Sequence, residues 1–300
     1  MTSRTPDLGL LFDVDGPLAS PVSRTIAIDS ILDDLLALTR AGVPIAFITG
    51  RSDAFIRDQV VTPLLGRGLG EVLRTPGARM FGVYEKGAAW STITPDGLGD
   101  VEVDHDVAPP HALVDDIRMI VATDYDELVF FDDTKRAMIS VEQRVDVENE
   151  TFLAHRDAFD EAAFDAAVRH GVGVRYGDRV APDAAGNVPF RLDPTIISTD
   201  IESVLLDKDR GARRALAHFA ALGDLPRTWR TIGDSRSDYK MADELHAAGF
   251  EVAHVDVRPS DGMLDRPYDV ITEGDLIHDE AGAAFLRGWV ERLGIDPHRA

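Results

Sequence analysis

The chain has 300 residues, and its 53 Asp and Glu against 31 Lys and Arg leave a formal net charge of −22. A field of that sign repels nucleic acid and anionic membrane, so neither is an expected partner, and an anionic substrate must find positive charge supplied locally. The absence of cysteine excludes disulfides, thiolate zinc sites and a cysteine nucleophile.

No apolar run approaches the roughly 18 residues that cross a bilayer. No early segment joins a basic start to an apolar stretch, so a soluble, cytoplasmic protein is expected. The length favours two domains over one.

The first element is the apolar run ending in Leu10-Leu11-Phe12-Asp13-Val14-Asp15-Gly16-Pro17-Leu18. It reads as a buried parallel strand stopped by Gly-Pro. Strand side chains alternate between faces, so Asp13 and Asp15 would share one if the strand stayed regular. Like charges that close call for a cation between them or a proton on one. The pair is a Mg²⁺ site, an acid/base pair, or simply an Asp-Gly turn capping a strand.

A helix is expected over 28–40 from the spacing of Ile31, Leu32, Leu35, Leu36 and Leu38, with Ala41-Gly42 as its stop. A second buried strand, 43–48, ends in Thr49-Gly50-Arg51. Ser52 and Asp53 can cap a helix reaching about Leu64. Gly66 to Gly70 follows that helix rather than a strand, so it reads as a loop and not as a dinucleotide motif. Residues 80–84 form a third strand before Glu85-Lys86-Gly87-Ala88.

The texture then changes at the turn-rich 94–100. Helices are expected from Pro109-Pro110 to about 121 and over 155–170. Strands are expected at 128–131, 138–142, 172–176 and 195–199, with a Pro- and Gly-rich link over 181–189. The parallel pattern resumes with a helix over 209–222 directly after Lys208. A strand over 229–232 runs into Gly233-Asp234-Ser235-Arg236-Ser237-Asp238. A helix over 239–248, strands over 250–255 and 268–271, and a closing helix over 278–293 complete the chain. The expected fold is α/β: a doubly wound parallel sheet over 1–92 and 197–300, with an α+β unit over 93–196 inserted as a cap.

Asp13 and Asp15, Thr49-Gly50, and Asp234 and Asp238 all fall at carboxyl ends of expected strands, which converge on one crevice in an open parallel sheet. Lys208 starts a helix that can face the same crevice. The residue types suit phosphoryl transfer. A carboxylate can attack phosphorus, and a second can protonate the leaving oxygen and later activate water. Carboxylate oxygens suit Mg²⁺. A lysine, a threonine hydroxyl and backbone N–H groups neutralise phosphoryl oxygens.

Taken together, the set resembles the haloacid dehalogenase superfamily of phosphatases, specifically the Cof-like sugar-phosphatase branch with a large α/β cap. Asp13-Val14-Asp15-Gly16, Phe47-Ile48-Thr49-Gly50-Arg51, Lys208 with Gly211-Ala212, and Gly233 to Asp238 resemble its four motifs in order. Tyr84-Glu85-Lys86-Gly87-Ala88 is similar to the segment that precedes the cap. The resemblance implies a Mg²⁺-dependent phosphatase working through an aspartyl phosphate on a small phosphorylated metabolite, with a sugar phosphate as the leading class. It implies Asp13 as nucleophile and metal ligand, and Asp15 as general acid/base that also binds metal through its carbonyl. Thr49 and the Gly50 N–H would hold phosphoryl oxygens beside Arg51, and Lys208 would bridge nucleophile and phosphate. Asp234 would ligate Mg²⁺, with Asp238 supporting it directly or through water.

Pro17, Lys86 and Ser237 depart from the family pattern, which usually has Thr, Asn and Asn there. Two other readings keep the same residues: a phosphosugar mutase, and a catalytically weak ligand-binding protein. The nine histidines are scattered without ligand spacing.

Overall fold

Leu8–Phe12 (β1) is buried along its whole length, as befits a strand with a neighbour on each side and helices on both faces. In the computed structural model, which describes residues 6–296, β1 is the centre of the larger sheet; residues 1–5 and 297–300, the outer ends of the two expected core segments, lie outside the described residues. The chain continues through α1 (Asp29–Arg40), β2 (Ile45–Ile48), α2 (Asp53–Ile56), a π-helical stretch, α3 (Thr62–Gly66) and α4 (Leu69–Leu73). It then forms β3 (Met80–Tyr84), β4 (Ala89–Thr94), β5 (Gly97–Leu98) and β6 (Glu102–Val103). Up to Glu102, and again from Asp207, the chain forms one compact unit; Val103–Leu206 forms a second.

The second unit contains α5 (His111–Ile120), β7 (Val129–Phe131), β8 (Ile139–Gln143), α6 (Asn149–Arg169), β9 (Val174–Tyr176), β10 (Arg179–Ala181), β11 (Phe190–Pro194) and β12 (Ser198–Ser203). Its six strands run in the order β10-β9-β11-β12-β8-β7. Ile139, Val141, Leu192 and Ile201 pack one face of this sheet against Leu113, Ile117, Phe159 and Phe164 of α5 and α6. Asp160 of α6 is fully buried in that layer, where it accepts hydrogen bonds from Thr199 Oγ1 (2.5 Å) and Tyr176 OH (3.0 Å).

The first unit resumes with α7 (Lys208–Leu222), β13 (Thr228–Gly233), α8 (Tyr239–Ala247), β14 (Glu251–Asp256), β15 (Asp269–Ile271) and α9 (His278–Arg292). Its sheet runs β15-β14-β13-β1-β2-β3-β4-β5, with β6 beside β4. The six strands from β15 to β3 are parallel, and β4 turns back antiparallel to β3.

Leu11, Ala46, Ile48, Phe81 and Val83 meet Ala212, Ala215 and Phe219 of α7 and Met241 and Leu245 of α8 in one core cluster. Each large side chain so buried contributes roughly 1.5–3 kcal/mol relative to exposure. Gly211 lets α7 lie close on β2, since a Cβ there would stand 2.3 Å from Ile48 Cγ2. α1 and α9 pack on each other, and the fully buried Asp34 of α1 pairs with Arg287 of α9 at 3.1 Å.

The expected α/β class and doubly wound parallel sheet describe this fold. The insert spans 103–206 where 93–196 was expected, a shift of ten residues at both ends. At the first boundary, 94–100 belongs to a hairpin: β4 pairs with β3 on one side and with β5 on the other, so both stay in the core sheet. At the second, β12 pairs with β8 and β11, so it belongs to the insert. The helix expected from 53 to 64 is interrupted by the π-helical stretch Arg57–Val61, which ends two residues before Pro63, whose missing N–H cannot continue the i→i−4 ladder. Gly66 to Gly70 is not wholly a loop, because α4 starts at Leu69. β10 and β11 flank the Pro/Gly-rich link and were not foreseen.

Candidate active site

The chain leaves β1 toward β2 and β3 on one side, while β13, β14 and β15 lie on the other. That reversal opens a crevice outside the carboxyl ends of β1 and its neighbours. The loops after β1, β2 and β13 and the start of α7 all arrive there.

Lys208 is the first residue of α7, whose N-cap Asp207 accepts a hydrogen bond from the Lys208 N–H at 2.8 Å. Its ammonium is buried and meets three acceptors, one for each proton: Asp13 Oδ1 at 2.7 Å, Asp238 Oδ1 at 2.7 Å and the Ile48 carbonyl at 2.8 Å. Burial works against the charged amine, but the two carboxylates prevail and raise its pKa. Asp238 is fully buried. Its other oxygen, Oδ2, accepts from the Ser235 N–H (2.9 Å) and Ser235 Oγ (2.7 Å). Burial opposes its charge too, yet Lys208 and Ser235 hold its carboxyl below the usual range. With both oxygens engaged, Asp238 positions Lys208 and folds back the loop that carries Asp234.

Asp13 carries the opposite shift. Burial raises its pKa well above the ordinary value; Lys208 opposes this, while Asp238, Asp15 and Asp234 add to it. Asp234 is pushed up to about 6, first by burial and then by Asp238, against the attraction of Arg258 and Lys208. Ligand oxygens of Asp13, Asp234 and Asp238 lie within 4.8 Å of one another. Three carboxylates gathered so closely, two with their charged forms disfavoured, make an oxygen-donor set that fits a hard divalent cation. Gly16 completes the packing. Its φ of +93° and a Cβ position only 2.6 Å from the Asp234 carboxyl leave room for no other residue.

Asp15 stands apart from that trio. Arg51 grips its carboxylate with both arms of the guanidinium, Nε to Oδ2 at 3.2 Å and Nη2 to Oδ1 at 3.4 Å. The same guanidinium lies 5.0 Å from the centre of the Phe55 ring. Arg51, expected from sequence as a substrate contact, is in the structure a partner of Asp15. Thr49 is buried, and its hydroxyl accepts the Arg51 N–H at 3.0 Å. Thr49-Gly50-Arg51 is pinned to the turn after β3: the Glu85 N–H donates to Arg51 O and the Lys86 N–H to Thr49 O, both at 3.0 Å. Making those bonds puts Glu85 (φ +50°), Lys86 (φ +55°) and Gly87 (φ +98°) in succession into the left-handed region. For the two non-glycine residues this costs on the order of 1–3 kcal/mol each.

Pro17 leaves the first loop closed, because the N–H groups of Leu18 and Ala19 donate to Val14 O and that of Gly16 to Ala19 O. Ser237 is exposed and hydrogen-bonds Ser235 Oγ at 2.8 Å. Sequence reasoning missed Ser235, Arg258 and the Ile48 carbonyl. Ser235, within the Gly233–Asp238 motif, was the one with a readable signal.

The sequence matches no family model and no curated protein. Among solved structures, the C-terminal domain of C. albicans trehalose-6-phosphate phosphatase is similar, with a TM-score of 0.57 and 13% identity over 96% of this chain and 92% of that one. A haloacid dehalogenase-like hydrolase from Bacteroides thetaiotaomicron has a TM-score of 0.56 and 12% identity, over 94% and 98%. An IMP-bound IMP-nucleotidase from Plasmodium falciparum has a TM-score of 0.54 and 10% identity, over 95% and 66%. At such identities the likeness establishes architecture: this chain has the fold of the haloacid dehalogenase-like hydrolases.

Proposed function

We propose that the chain is a divalent-cation-dependent phosphomonoesterase acting on a small phosphorylated metabolite, of the sugar-phosphate class handled by the Cof-like branch. The observation that carries this reading is the Lys208 ammonium bridging Asp13 and Asp238 at 2.7 Å each, with Asp234 in the same carboxylate group. Similar structures are of proteins named for trehalose 6-phosphate and IMP, both small phosphorylated molecules.

In this reading an Asp13 oxygen attacks phosphorus while the bond to the leaving oxygen breaks. Asp15, released from Arg51, gives that oxygen its proton. Asp15 then takes a proton from water, the water oxygen attacks phosphorus, and the bond to Asp13 breaks to free inorganic phosphate. The Thr49 hydroxyl, the Gly50 N–H and Lys208 hold the phosphoryl oxygens throughout. A Mg²⁺ held by Asp13, Asp234 and the Asp15 carbonyl, with Asp238 in support, would neutralise charge on the nucleophile and the phosphoryl group. Val103–Leu206 is assigned the part of the cap.

The test is phosphate release from a panel of phosphorylated metabolites, with Mg²⁺ or with EDTA, by the native chain and by Asp13→Asn. Release that needs Mg²⁺ and vanishes in Asp13→Asn is expected. Release that survives in Asp13→Asn, or no release from any compound with Mg²⁺ present, would refute the reading.

A further inference from the structure

The phosphomonoesterase reading places a dianionic phosphoryl group beside four carboxylates, Asp13, Asp15, Asp234 and Asp238, in a chain of net charge −22. Lys208 already has three acceptors around its three protons, and Arg51 spreads its guanidinium over Asp15. A further cation close to the Thr49-Gly50 turn would change that balance most.

Lys86 is at that turn. Its N–H donates to Thr49 O at 3.0 Å, and its side chain runs along Gly50: a Cβ on Gly50 would stand 3.6 Å from Lys86 Cε and 3.8 Å from Cγ. The ammonium is one bond further on. The backbone at Lys86 has φ +55° and ψ +31°, a conformation that glycine and asparagine adopt far more readily than lysine. A lysine kept where the backbone disfavours it, in a chain with only four lysines, calls for a reason in its side chain.

We propose that Lys86 is a phosphoryl-recognition residue of this site, its ammonium supplying charge to the oxygens held by Thr49 and Gly50. The inference rests on the phosphomonoesterase reading above. It makes Lys86 a residue that binds the reacting group, while its backbone N–H positions Thr49.

Lys86→Asn and Lys86→Gly separate the two roles, because both keep the N–H and both suit the left-handed backbone. The measurement is calorimetric titration with inorganic phosphate in the presence of Mg²⁺, alongside thermal unfolding. Both variants are expected to unfold at or above the native temperature while binding phosphate about tenfold or more weakly, the usual loss for a charge-assisted hydrogen bond. Lys86→Arg is expected to restore most of the affinity. Native-like phosphate affinity in Lys86→Asn and Lys86→Gly would overturn the role of Lys86 and leave the phosphatase reading standing. If the native chain itself binds no phosphate with Mg²⁺, both fall.

Discussion

Replacing Lys208 by methionine keeps most of the stem and removes the charge from between Asp13 and Asp238. Each ion pair spans 2.7 Å. At an effective dielectric constant of about 20, a pair at that distance attracts by roughly 6 kcal/mol, most of it offset in the folded protein by the cost of burying the charges. The net effect of removing one partner from such a group is about 3–5 kcal/mol, because the remaining carboxylates stay buried without compensation.

The pH dependence is the sharper signature. In the native chain Lys208 holds the Asp238 pKa down, so that stabilisation is complete above the unfolded carboxylate pKa and is lost only as pH falls through the lower folded value. In Lys208→Met the carboxyl pKa values rise above their unfolded values, so the variant loses stability as pH climbs through the window between the two. The gap between the two proteins must therefore be wide at pH 7.5 and narrower at pH 5. All three tryptophans, Trp90, Trp229 and Trp289, lie in the first unit, so urea unfolding followed by their fluorescence reports on that unit. A difference below about 1 kcal/mol at both pH values, no more than a surface ion pair contributes, would refute the argument that these charges are mutually compensated.

Three further outcomes follow from the same site and its support. Gly16→Ala must strain a backbone at φ +93° and push on Asp234; it should cost about 1 kcal/mol or more in stability and weaken Mg²⁺ binding by titration, and unchanged Mg²⁺ affinity would contradict the packing argument. Mg²⁺ should raise the unfolding temperature more at pH 7.5 than at pH 5, because the Asp234 pKa of about 6 makes protons compete with the ion at the lower pH. At a hundred times the dissociation constant the stabilisation is about 2.7 kcal/mol, and equal shifts at both pH values would count against Asp234 as a ligand. His254 is fully buried with Nδ1 on Thr231 Oγ1, and burial depresses its pKa from 6.5 to about 4. The unfolded chain then binds more protons across that window, so the native protein should lose about 3 kcal/mol as pH falls through it. His254→Asn should remove that part of the acid sensitivity, and parallel stability–pH curves for the two proteins would rule it out.

Much of this architecture was legible because its signals are local. A buried parallel strand is an unbroken apolar run, and the residue that ends it has to tolerate a turn, so Phe12-Asp13, Ile48-Thr49 and Ile232-Gly233 mark their own positions. Helix spacing found α1, α7, α8 and α9 to within a residue or so. The insert's limits were not legible in the same way. A turn-rich stretch such as 94–100 looks alike whether it leaves a domain or joins two strands of one sheet, and only the pairing of β4 with β3 decides.

The sequence by itself determined which residue types stand at the ends of which strands, and so the chemistry available: carboxylates, a lysine, a threonine and a glycine. Tertiary structure alone decided how they are shared. It gave the three protons of Lys208 to Asp13, Asp238 and a backbone carbonyl, set Arg51 on Asp15, and left Asp234 against Gly16 with its charge disfavoured. It also drove Glu85 and Lys86 into left-handed backbone to close the turn over Thr49. The physical reason is range. Strand and helix patterns act over a few neighbours in the chain, whereas Lys208 finds Asp13 and Asp238 only after strands distant in sequence have paired, and burial then fixes which charges can exist there.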